Sequence, residues 1–128
     1  MDMSENILKI LICDDSMLMR KKLKGSLKLC GSFAIFEATD GQRAIDIYKE
    51  NKPNLVFMDI VMPVKDGIQA VLEIKSFDEN AKIIMASSSG TKDNLKRAIK
   101  AGAFDFIQKP WEQEQITKII NNVLKEGE

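Results

Sequence analysis

The chain has 128 residues, 45% hydrophobic and 30% charged, enough for one soluble globular domain with a real core. Nineteen Lys and Arg balance nineteen Asp and Glu, so the formal charge is zero and the basic footprint of non-specific nucleic-acid binding is missing. There is no histidine, which excludes an imidazole triad, a His-ligated metal and a phosphohistidine carried by this chain.

The first apolar run, Ile7 to Cys13, is short and broken by Lys9, so it reads as neither secretory leader nor membrane span. Cys13 and Cys30 lie in no CxxC pattern and are expected to be small buried apolar residues of a reduced, cytoplasmic chain. A single domain over residues 1–128 with no attached output domain is expected.

Ile7–Cys13 is predicted as a first strand, nearly continuous in apolar residues as a central parallel strand is. Ser16 caps a predicted helix in which Met19, Leu23, Leu27 and Cys30 share a face, ended by Gly31. Phe33–Phe36 is a second strand, and Asp40-Gly41 opens a helix with Ala44, Ile45 and Tyr48 that stops near Pro53. Leu55–Met58 is the third strand, followed by a helix capped by Asp66 and carrying Ile68, Val71 and Leu72.

Ile83–Ala86 is the fourth strand. Thr91 or Asp93 opens the next helix, with Leu95, Ala98 and Ile99 expected inward and Gly102 near its end. Phe104–Ile107 is the fifth strand, and Ile116, Ile119, Ile120, Val123 and Leu124 follow helical spacing closely. Five strand–helix units in one chain imply an α/β doubly wound fold, a parallel sheet covered on both faces. The pattern alone leaves the strand order open.

Polar residues interrupt the strands at their carboxyl ends: Asp14-Asp15, then Asp59, then Ser87-Ser88, then Gln108-Lys109. In a parallel sheet those ends share one edge, where ligand crevices form. Three crowded carboxylates repel unless a cation compensates, and all-oxygen ligation with open positions suits Mg²⁺ or Mn²⁺ and phosphoryl oxygens. Asp59 is then a candidate nucleophile for an aspartyl-phosphate, with Lys109 and Ser87 supplying charge and a hydrogen bond to the phosphoryl oxygens.

These residues carry a resemblance. The acidic pair Asp14-Asp15, the segment MDIVMPVKDG around Asp59, the hydroxyl of Ser87, the aromatic Phe106 and Lys109-Pro110 resemble, over essentially the whole chain, the CheY-like receiver domains of bacterial two-component response regulators. The resemblance implies a flavodoxin-like, three-layer (βα)5 fold with strand order 2-1-3-4-5. It implies that Asp59 accepts a phosphoryl group from the phosphohistidine of a sensor histidine kinase. Asp15, Asp59 and the backbone carbonyl of Val61 would bind Mg²⁺, with Asp14 acting through a bound water. Lys109 would pair with the phosphoryl group across a cis Lys109-Pro110 bond. Ser87 and Phe106 would form the switch that alters the face of the fourth helix, fifth strand and fifth helix read by an output protein.

The phosphoryl surroundings would include Ser88, Ser89 and Pro110, and Val61 and Ser89 are expected to set how fast the phosphoaspartate hydrolyses. Position 106 is Phe where chemotaxis-type members often carry Tyr, so it has no hydroxyl to hydrogen-bond. A phosphatase partner, a monomer or weak dimer on phosphorylation, and a role in chemotaxis complete the expectation. No enzyme acting beyond its own phosphoryl group is expected. Rival readings are a receiver excised from a larger transcriptional regulator, a phosphorelay intermediate, a degenerate receiver that only binds partners, and a flavin carrier. The last is disfavoured because Asp14-Asp15 would repel a phosphate. The basic residues Arg20, Lys21, Lys22, Lys24 and Lys28 of the first helix offer either a docking surface or a solvated face, and Trp111 either a partner anchor or a lid.

Overall fold

A computed structural model describes residues 7–88 and 92–126. Strands and helices alternate strictly: β1 (Lys9–Cys13), α1 (Met17–Lys28), β2 (Ala34–Ala38), α2 (Gly41–Asn51), β3 (Leu55–Asp59), α3 (Gly67–Phe77), β4 (Ile83–Ser87), α4 (Lys92–Ala101), β5 (Asp105–Gln108) and α5 (Gln113–Glu126). All four strand pairings are parallel, in the order β2-β1-β3-β4-β5. The doubly wound fold and the strand order implied by the resemblance are both present.

Strand alternation divides the core into two layers. Leu11, Cys13, Val56, Met58, Ile83 and Met85 face α2, α3 and α4, where Ala44, Tyr48, Val71, Ile74 and Ala98 meet them. Ile10, Ile12, Leu55, Phe57, Ile84 and Ile107 face α1 and α5, against Leu23, Leu27, Ile116, Ile120 and Val123. Because β1, β3 and β4 are covered on both sides, their sequences show no polar alternation until the strand ends.

Side chains start three helices as expected. Ser16 accepts from the Met19 N–H, Asp40 from Arg43 and Asp66 from Gln69. Each cap follows directly on a carboxyl-edge loop, so the helix starts fix where those loops turn. Strand ends shift by one or two residues from expectation: β2 runs to Ala38, and β3, β4 and β5 reach Asp59, Ser87 and Gln108. Asp59, Ser87 and Gln108 are therefore ladder-held rather than loose.

Three helix faces differ from the periodic reading. In α4 only Ala98 and Ala101 are buried, whereas Leu95 is 39% and Ile99 63% exposed. Small residues bring that helix close to the sheet beside the short edge strand β5, and the larger side chains are left outside. Leu72 and Leu124 are likewise exposed, at the margins of apolar stripes that Ile68, Val71 and Ile74, and Ile120 and Val123, already fill.

Candidate functional site

At the carboxyl edge of the sheet, β1 and β3 lie side by side with Cys13 opposite Met58, so Asp14-Asp15 and Asp59 emerge together. One carboxylate oxygen from each of Asp14, Asp15 and Asp59 lies within 4.8 Å of the others. Asp14 is buried, Asp59 half-buried and Asp15 exposed, so the cluster opens to solvent on one side. The Asp14 carboxylate also accepts the Ser16 N–H at 2.9 Å, which orients it at the mouth of α1.

The Lys109 ammonium reaches this cluster from the end of β5. Its Nζ lies 2.5 Å from Asp14 Oδ2 and 3.5 Å from Asp59 Oδ2, and the side chain is only 11% exposed. Its position follows from the ladder: the Lys109 N–H donates to the Ser87 carbonyl at 2.8 Å, and the following Lys109-Pro110 peptide is cis. Ser87 is fully buried, one residue beyond Ala86, which pairs with Asp59 across β3 and β4.

Gly67 is a structural condition for the site. Its N–H donates to the Ile60 carbonyl at 2.7 Å, and a Cβ there would fall 2.0 Å from the Asp59 carbonyl oxygen. Only glycine lets α3 begin this close to the Asp59 backbone.

Burial pushes the Asp59 carboxyl above the usual carboxylate range; the Lys109 charge pulls it down, and the neighbouring Asp14 pushes it up again. A carboxylate held partly against its own ionisation gains from a cation or from esterification, since either removes the repulsion. The donors fit a hard divalent cation: three carboxylates on one side, and an open face for water or phosphoryl oxygens.

The response regulator receiver domain family model matches residues 10–121. The chain belongs to the receiver family. Among its relatives are the chemotaxis protein CheY of Halobacterium salinarum, 45% identical over 91% of this chain and 96% of that one. The CheY of Thermotoga maritima is 44% identical over 91% and 98%. Among solved structures, the CheX–CheY–BeF3–Mg complex from Borrelia burgdorferi matches with a TM-score of 0.86 at 32% identity, covering 97% of this chain and 95% of that one. A CheY-like receiver domain protein from Methanospirillum hungatei matches in fold, with a TM-score of 0.86 at 23% identity over 94% and 96%. The chain is a CheY-like receiver, and chemotaxis relatives support the chemotaxis-type assignment.

In this receiver Asp14, Asp15, Asp59 and Lys109 converge, with Ser87 on the adjoining strand end. Val61 lies in the loop after Asp59 with its side chain 71% exposed. Phe106, opposite Met85 in the sheet, is partly buried against the α2–α4 side of the core. Ser88 and Pro110 are exposed, and Ser89 and Thr91 lie outside the described residues.

The basic helix face divides: Lys21, Lys22 and Lys28 are exposed, while Arg20 and Lys24 turn to β2. Arg20 is only 13% exposed, and both it and Lys24 bond to Glu37 on β2. Burial pushes the Glu37 carboxyl up, but its hydrogen bonds from Lys24 and Arg20 outweigh that and hold it below the usual range. Trp111 is a lid: it packs with the α1–α5 layer, and its indole N–H donates to Ser26 Oγ at 3.0 Å. Sequence reasoning missed the contacts of Arg20 and Gly67 with the backbone of the acidic residues. Asp66-Gly67 at a helix start was the available signal for the second, and none existed for the first.

Proposed function

We propose that this receiver is a phosphorylation-controlled messenger in which Asp59 accepts a phosphoryl group from a sensor histidine kinase. The observation that carries the reading is the placement of the Lys109 ammonium between Asp14 and Asp59, inside a three-carboxylate cluster open to solvent. An Asp59 carboxylate oxygen attacks phosphorus, an acyl-phosphate P–O bond forms, and the P–N bond to the kinase imidazole breaks; the imidazole, already protonated on its other ring nitrogen, takes the bonding pair and leaves neutral. Asp15, Asp59 and the Val61 carbonyl, with Asp14 through a bound water, would hold Mg²⁺, which would supply positive charge to the phosphoryl oxygens. Lys109, already 3.5 Å from Asp59, takes the phosphoryl group as its new partner. Hydrolysis returns inorganic phosphate and the free carboxylate, so the domain acts on its own side chain and turns over no other substrate.

The added charge draws Ser87 toward the phosphoryl group, and Phe106 follows into the space released. The face formed by α4, β5 and α5 then presents a changed surface to an output protein. The chemotaxis relatives, whose length this chain nearly spans, support a chemotaxis messenger; we place its work in the cytoplasm, where its kinase would deliver the phosphoryl group. The Borrelia complex, which unites a CheY with CheX, BeF3 and Mg, supports a partner that meets the receiver when a phosphoryl-like anion and a divalent cation are present.

Acetyl phosphate with Mg²⁺ tests the reading. Intact-mass spectrometry is expected to show one added phosphoryl group on the wild-type chain and none on Asp59→Asn or after chelation. A wild-type chain that stays unmodified, or label on another residue, would overturn it.

A further inference from the structure

Next to the acidic cluster, a partly exposed ion network centred on the largely buried Arg20 ties the edge strand β2 to the start of the acidic loop. Residue 14 is held at both backbone groups. Its N–H donates to the Ala38 carbonyl of β2 at 3.0 Å, and its carbonyl accepts Nη1 of Arg20 at 2.7 Å. The same guanidinium donates Nε to Oε1 of Glu37 at 2.9 Å, and Glu37 Oε2 accepts from Lys24 at 3.1 Å. Both contacts therefore lead back to the end of β2, through Ala38 and through Glu37.

We infer that Arg20 is a positioning residue for the metal-binding acid pair, clamping the Asp14 carbonyl with Glu37 as its anchor. The Asp14-Asp15 segment lies between strand and helix, where no ladder fixes the Asp14 carbonyl. A rotation of that peptide would swing both carboxylates. A planar guanidinium can satisfy the carbonyl and Glu37 together in fixed directions, which a single ammonium cannot do. Outer contacts of this kind orient the groups that touch a metal.

The geometry sets this role against a simpler one of opposite sign. As a bare positive charge beside the acidic cluster, Arg20 would repel a divalent cation, and its removal would tighten binding. As a clamp, its removal loosens binding.

The inference rests on the phosphoacceptor reading, and one titration series separates the two. Mg²⁺ dissociation constants are measured by calorimetry on metal-free wild type, Arg20→Gln, Arg20→Lys and Glu37→Gln, with urea denaturation of each variant in chelator. Arg20→Gln is expected to weaken Mg²⁺ binding about tenfold. Arg20→Lys is expected to recover little of this, and Glu37→Gln to show a smaller loss although it leaves Arg20 in place. If Arg20→Gln does not fold, the Lys and Glu37 variants carry the test.

A lowered urea midpoint with an unchanged Mg²⁺ constant would reduce Arg20 to a structural residue and overturn the inference. Tighter Mg²⁺ binding in Arg20→Gln, or full affinity in Arg20→Lys, would overturn it as well. A wild-type chain that binds no Mg²⁺ removes the phosphoacceptor reading and this inference together. Wild-type binding with unaltered variants removes the inference alone.

Discussion

Lys109 contacts Asp14 more closely than Asp59, at 2.5 Å against 3.5 Å, so Asp59 is the less compensated carboxylate of the pair. Its raised proton affinity has a stability consequence. A group whose folded value lies above its unfolded one contributes stability that is complete below the unfolded value and lost as pH rises through the folded one. Asp59→Asn is therefore expected to raise the urea midpoint in chelator at neutral pH. The two curves should converge in acid, below the ordinary carboxylate range near about 4. A variant less stable than wild type at neutral pH would contradict this.

Tyr48 is a second residue-scale case, far from the acidic site. Its hydroxyl donates to Asp78 Oδ2 at 2.7 Å, tying the end of α2 to the end of α3. Burial first, then the hydrogen bond and charge of Asp78, raise the phenol well above its ordinary value. Stability from this group is complete below about pH 10 and declines as pH rises toward the folded value. Tyr48→Phe should cost about 1–2 kcal/mol near neutrality. It should also flatten the alkaline limb of a stability–pH profile, which denaturant midpoints across pH 8 to pH 11 would reveal.

At the scale of elements, the start of α3 is where local chemistry and the site meet. Asp66 caps the helix, Gly67 passes against the Asp59 carbonyl, and Val64 just before them sits at φ +67°, an unfavourable region for a β-branched residue. Gly67→Ala must displace the backbone of Asp59 or the first turn of α3. A loss on the order of 3 kcal/mol is expected from the forced overpacking. Asp66→Ala, which removes only a cap, should lose about 1 kcal/mol. Thermal or urea denaturation of the two variants would check the order. The contrast between α4 and α5 belongs to this scale too. Both have a clear helical period, but a helix beside a short edge strand buries only its alanines, and periodicity does not report how much sheet lies beneath a stripe.

For the whole molecule, the three carboxylates come from two separate strand ends, so a bound divalent cation is expected to stabilise the fold as well as the site. At a Mg²⁺ concentration one hundred times its dissociation constant, stabilisation of about 2.7 kcal/mol is expected. The gain should shrink sharply in Asp15→Asn, which keeps the core intact because residue 15 is exposed. Scanning calorimetry with and without Mg²⁺ measures both, and an equal gain in the two proteins would place the cation elsewhere.

The sequence by itself determined the alternation of five strands and helices, the capping residues and the polar residues at the strand ends, because burial on both sheet faces and helix starting chemistry are written in local residue order. From that pattern and parallel pairing, Asp14, Asp15, Asp59, Ser87 and Lys109 had to share an edge. The tertiary structure alone decided that Lys109 rests on Asp14, that Gly67 abuts the Asp59 carbonyl and that Arg20 turns inward to Asp14 and Glu37. These contacts join residues far apart in the chain or depend on packing distances of a few ångströms. Neither hydrophobic period nor charge count carries that information, since an arginine on a basic helix has the same local sequence whether it faces water or clamps a carbonyl.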